Sequence, residues 1–305
     1  MQERSGSGRW LAALFVVFGI GDLVYYTVTA KFDPNPALTD VGTYALQVIP
    51  SVASVLMPAA LLWRHPDATE RARTLLLGTI LFALAQGLQI LASPLEPYFE
   101  AATPQSQDLP SIVPMAEIYN GFVSVVLAVA LLSIAAGLTQ ARRYEDRSGI
   151  LAVLFLPCVT ILATVLNVLA TSTSGIEGLP LTLGLVLFVG SAVVQPVIRV
   201  VVWAYLMTAL WRGWRAGENP INGWTLGTLG TGLIVLGLIL VNLNGVLPAQ
   251  SGAFNTVYAY ATVIAYALGH LCLLAAFLLG LPARDRDDFD EDDDEDDDDE
   301  EEAWR

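Results

Sequence analysis

The sequence predicts an all-α, polytopic integral membrane bundle of eight crossing helices, followed by a disordered acidic C-terminal tail. Three observations carry this reading. Of 305 residues, 54% are hydrophobic and only 15% charged, against roughly 25% charged in an average soluble domain. Apolar blocks recur that can span about 30 Å of hydrocarbon at a helical rise of about 1.5 Å per residue. The arginines between those blocks fall on one side once the crossings are counted.

The crossings are expected near residues 10–30, 43–63, 74–93, 114–138, 150–171, 180–211, 224–244 and 256–281. Connections such as "KFDPNPALTD", "STSGIEGLP" and "GENPING" are short and rich in residues that break helices. Arg4 and Arg9 precede the first crossing, Arg64, Arg71 and Arg73 follow the second, and Arg142, Arg143 and Arg147 follow the fourth. Arg212 and Arg215 follow the sixth, and Arg284, Arg286 and Arg305 follow the eighth. The opposite side carries only Lys31. The positive-inside rule therefore predicts a multi-pass protein of the cell membrane with both termini in the cytoplasm.

The competing topology is a signal peptide cleaved after "VTA" at 28–30, leaving seven crossings. The first apolar stretch is long for a signal core and contains Asp22, which argues against it. A seven-helix retinal protein is disfavoured too, because Lys31, the only lysine, falls in a loop.

The expected division is a transmembrane domain at 1–283 and a tail at 284–305. The tail holds 16 of the 30 acidic residues and three arginines, so −13 of the net −15 resides there. Like charges at this density repel and keep a chain disordered. The bland reading is a solvated tail; the sharper one is a basic protein partner or cations held by it. The lipid bilayer is the other expected partner, while nothing indicates nucleic acid and the oligomeric state is left open.

The first four crossings can be read as repeated in the last four, a parallel 4+4 arrangement. "LAALF" at 11–15 echoes "LAVLF" at 151–155, and "LGT" at 77–79 returns at 226–228. Gln47 precedes Trp63–Arg64 by the same interval that separates Gln195 from Trp211–Arg212. Chance similarity among Leu/Ala/Val-rich helices is the alternative.

Three ionisable residues interrupt the apolar blocks at one depth. Asp22, Arg199 and His270 each lie eleven or twelve residues from the basic end of their crossing, about 16–18 Å up and near the midplane. A charge there costs ~2.5–3.5 kcal/mol on insertion scales, so such residues turn inward and find partners. The expectation is an Asp22–Arg199 ion pair with His270 nearby, either a substrate site or a structural lock on helix register. Pro196, three residues before Arg199, is expected to break or kink the long sixth crossing. A second polar group, Gln47, Glu117, Asn120, Asn167, Gln195, Asn242 and Asn244, lies towards the other end. It reads as an outer vestibule or as hydrogen-bonding glue between helices.

Other features have plain readings. "GWTLG" at 223–227, with Gly230, Gly232 and Gly237, predicts close helix packing. Trp10, Trp63, Trp211, Trp214, Trp224, Tyr25 and Tyr26 are expected as interfacial anchors. Cys158 and Cys272 read as packing residues, and His65 as an exposed loop residue. No zinc, nucleotide, serine-hydrolase or haem pattern occurs, so no cofactor, metal or catalytic residue is assigned. The expected function is a transporter or permease for a small solute or ion. The alternatives are a non-catalytic scaffold, sensor or assembly subunit, and a membrane-embedded enzyme acting on a lipid or isoprenoid.

Overall fold

The computed structural model describes residues 5–32, 41–65, 68, 72–102, 115–140, 156–166, 168–169, 182–183, 186, 189, 193–215, 222–244 and 252–280. The described residues are almost all helical, with no strand among them. The helices are α1 (Ser5–Phe32), α2 (Val41–Arg64), α3 (Arg73–Ala102), α4 (Met115–Gln140), α5 (Leu156–Leu166), α6 (Gln195–Arg215), α7 (Gly223–Asn244) and α8 (Gly252–Leu279). Among the described residues, four segments are long and apolar enough to cross a membrane: Gly8–Tyr25, Ile118–Thr139, Gly223–Asn242 and Tyr260–Leu279. The acidic tail, the "STSGIEGLP" turn and the arginines at 142, 143 and 147 lie outside the described residues.

Six helices close a ring. α2 packs on α3, α3 on α4, α4 on α6, α6 on α7, α7 on α8, and α8 returns to α2. α1 docks chiefly on α2. Residues facing the ring's interior form one apolar core that includes Met57, Leu62, Phe82, Leu131, Trp203 and Phe277. Outward positions are apolar as well: Leu77, Leu84 and Leu91, seven apart on α3, are each about half exposed. A helix surface that is apolar on both faces suits a hydrocarbon solvent.

Glycines set the closest approaches. A Cβ on Gly230 would lie 2.6 Å from the Gly269 carbonyl oxygen, and one on Gly137 would lie 2.6 Å from the Leu75 backbone nitrogen. Gly223 likewise abuts the Ala276 carbonyl at 2.7 Å. The expected glycine packing in α7 therefore holds for Gly223, Gly227 and Gly230, whereas Gly232 and Gly237 have ordinary clearance. Buried hydroxyls are met within their own helices: Ser54, Thr79 and Thr231 donate to the carbonyls of Pro50, Leu76 and Gly227, which lets them sit in an apolar interior.

Arginine-bearing helix ends gather at one end of the bundle. Arg64 Nη2 donates to the Leu279 carbonyl at 3.0 Å, tying the ends of α2 and α8. Gly280, at φ 83°, supplies the left-handed residue that ends α8. Trp224 at the start of α7 packs beneath Gly213 near the end of α6. It is 1% exposed, so it is a core residue and not an interfacial anchor, whereas Trp10 and Trp63 project outward. His65 is half-buried where α2 ends, more enclosed than its loop position suggested. Cys272 is half-buried, but Cys158 is exposed on α5 and does not pack as expected.

The expected break near Pro196 has a local form. Val193 and Val194 adopt π-helical geometry, and α6 starts at Gln195. Pro196 thus follows directly on a π-helical irregularity, the kind of local break that accommodates a residue with no N–H to donate.

Candidate functional site

A cavity of about 660 Å³ opens between the ring helices, within the range of small-molecule sites, roughly 300–1,000 Å³. Its polar lining comes from several helices: Ser51 on α2, Gln86 and Gln89 on α3, Asn120 and Ser124 on α4, Thr160 on α5, Arg199 on α6, and Thr262 and Tyr266 on α8. Arg199 stands sixteen residues before Arg215, the last residue of α6, so it lies about 24 Å along the helix from the basic end. Apolar residues such as Leu131, Val202 and Trp203 form the remaining wall.

Arg199 is the cationic group of this lining. Its Nη2 donates to Ser124 Oγ at 3.0 Å, linking α6 to α4. Ser124 in turn donates to the Asn120 carbonyl at 2.8 Å, so its oxygen is left to accept. Among the described residues of the lining none is acidic.

Asp22 stands one layer back. Ser51 Oγ donates to Asp22 Oδ2 at 2.7 Å, and Ser51 lines the cavity while Asp22 does not. The expected Asp22–Arg199 ion pair is therefore replaced by two separate contacts, each through a serine. The reason is placement: α1 docks chiefly on α2, and α4 is the ring neighbour that meets α6.

His270 is also one layer back and fully buried. Its ring stacks on Phe82 at 6.1 Å, meets Trp203 edge-on at 5.9 Å and lies 4.5 Å from the Tyr266 ring. Nδ1 is 2.8 Å from the Tyr266 carbonyl. A carbonyl can only accept, so Nδ1 carries the proton and Nε2 presents a bare lone pair. Nε2 has no partner. Trp203 and Tyr266 both line the cavity and separate it from the imidazole. Asp22, Arg199 and His270 thus surround one cavity, but Arg199 alone reaches it.

The outer polar group divides. Asn120 lines the cavity. Asn242 turns its amide back to the Leu238 carbonyl at 2.8 Å and serves its own helix. Gln47, Glu117, Asn167, Gln195 and Asn244 have side chains outside the described residues.

Sequence reading missed Gln86 and Gln89. Two amides three residues apart share a helix face, and in the apolar run of α3 they carried the same signal that marked Asp22. The serine and threonine contributors gave no such signal, because hydroxyls can be satisfied anywhere along a helix. No protein-family model, curated protein or solved structure matches this chain.

Proposed function

We propose that this chain is a permease-like membrane protein whose ring of helices admits a small solute to the cavity at Arg199. One observation carries the reading: amides, hydroxyls and a guanidinium from six helices converge on a single cavity inside an otherwise apolar bundle. An ionisable group inside a membrane bundle is costly and commonly marks a solute or ion pathway. In this reading all eight helices cross the cell membrane and the arginine-rich ends face the cytoplasm, supported by the basic-residue bias of the sequence. Asp22 is the candidate coupling group, connected to the cavity through Ser51. The two fourfold sets of helices would be the repeated halves.

The test is solute flux into proteoliposomes containing the full chain, assayed with a panel of small anions, cations and neutral solutes. The expected result is uptake of one class, lost in Arg199→Gln at unchanged helicity and elution volume. Absence of flux for every class, with the cavity still binding no solute, would instead favour a scaffold or assembly role.

A further inference from the structure

We infer that Ser51 relays protons between the cavity and Asp22, so that the ion coupled to the solute is a proton and its arrival turns Ser51 from an acceptor into a donor towards the cavity. The inference rests on the cavity being a solute site, and it names the regulation of that site.

The independent observation is where the Ser51 proton goes. Hydroxyls in this bundle commonly serve their own helix. Ser124 and Thr160, in the same lining, donate to the Asn120 and Leu156 carbonyls, and Ser54, Thr79 and Thr231 do likewise elsewhere. Ser51 instead donates across to Asp22 Oδ2 on α1 at 2.7 Å. Ser51 is 4% exposed and lines the cavity, whereas Asp22 does not. A titratable carboxylate therefore stands one hydroxyl away from the cavity. Its other approach is apolar: Phe18, Leu23 and Val24, beside it on α1, are exposed and suit hydrocarbon, not water.

A proton from hydronium in the cavity bonds to Ser51 Oγ while the existing O–H bond breaks and its proton passes to Asp22 Oδ2. Water is left in the cavity, the hydroxyl is regenerated, and the carboxylate becomes a neutral acid. That acid is now a donor, and its O–H points back to Ser51 Oγ. The regenerated Ser51 proton faces the cavity, where a lone pair stood before. A solute with an acceptor at that point and the proton then strengthen each other's binding, as linkage requires. The titratable and charged groups of the two helices stand apart from this pair or are phenols. On α1, Arg9 lies thirteen residues before Asp22 and Lys31 nine after, about 20 Å and 14 Å along the helix, with Tyr25 and Tyr26 one turn on. On α2, Tyr44 and Arg64 lie seven and thirteen residues from Ser51.

The test is infrared difference spectroscopy on the full-length chain in nanodiscs, reading the carbonyl stretch of a protonated carboxyl. An equilibrium titration over about pH 3 to 9 brackets the group, and subtracting Asp22→Asn separates its band from those of the other acids. A photoreleased proton then gives the rate at which the band rises. The expected result is a titrating Asp22 band whose rise is slowed at least ~10-fold in Ser51→Ala and restored in Ser51→Thr. Ser51→Cys, with a weaker donor and acceptor of similar size, gives an intermediate rate and serves in place of Ser51→Ala if the alanine variant does not fold. No titrating band from Asp22, or a rise as fast as the parent's in the folded Ser51→Ala or Ser51→Cys variant, would overturn the inference. The readout needs no solute. Proton uptake through Ser51 without flux sinks only the permease reading, while flux with no titration of Asp22 sinks only this one.

Discussion

Arg199 Nη2 and Ser124 Oγ, 75 positions apart in sequence, meet at 3.0 Å across the cavity wall. The bond fixes a long, mobile side chain in one orientation and joins two neighbours of the ring. Ser124→Ala is expected to leave the fold intact, because Ser124 is only half-buried and its own proton serves its own helix. Solute affinity or flux should fall about 2–10-fold, because Ser124 only orients the guanidinium, while Arg199→Gln, which removes it, should cost more than ~10-fold. Calorimetry and flux on the same preparations check the ranking.

The Asp22–Ser51 bond, at 2.7 Å, is a contact between α1 and the ring. Ser51→Ala leaves the carboxylate half-buried without that donor and should destabilise by about 1.5–3 kcal/mol. Converting both residues, Asp22→Leu with Ser51→Ala, should restore most of the loss, since apolar replacement of both partners is close to neutral. Thermal or denaturant midpoints of the two single variants and the double variant form the cycle. Additive effects would show that the bond contributes nothing.

His270 gives a prediction of the opposite kind. Its Nε2 makes no bond, and its Nδ1 proton meets a carbonyl of its own helix. His270→Phe keeps the ring among Phe82, Trp203 and Tyr266 and should stay within about 1 kcal/mol of the parent. Flux should survive as well. Lost flux at unchanged stability would make the imidazole a proton relay.

The α7–α8 contact tests the glycine argument. Gly230→Leu places a side chain where a Cβ alone would lie 2.6 Å from the Gly269 carbonyl, and should destabilise by about 1–3 kcal/mol or more. Gly21→Ala meets nothing within 4 Å and should hold or gain up to about 1 kcal/mol from helix propensity. Paired thermal midpoints in one detergent make the comparison.

The amino-acid order determined the local properties of this chain. Apolar blocks at helical rise set where helices form, and the glycines of α7 set where they touch. The same order singled out Arg199, because a charge in an apolar run is visible without coordinates. It could not choose partners. Residue spacing alone puts Asp22, Arg199 and His270 at similar depth, but depth is a coordinate along one helix and says nothing of which helices are neighbours. Ring order decided that: α1 docks on α2 and α6 meets α4, so the acid and the guanidinium each bond a serine. Rotation of α8 placed His270 behind Trp203 and Tyr266. Only the assembled ring turned Gln86, one polar residue among many, into a buried donor facing a cavity.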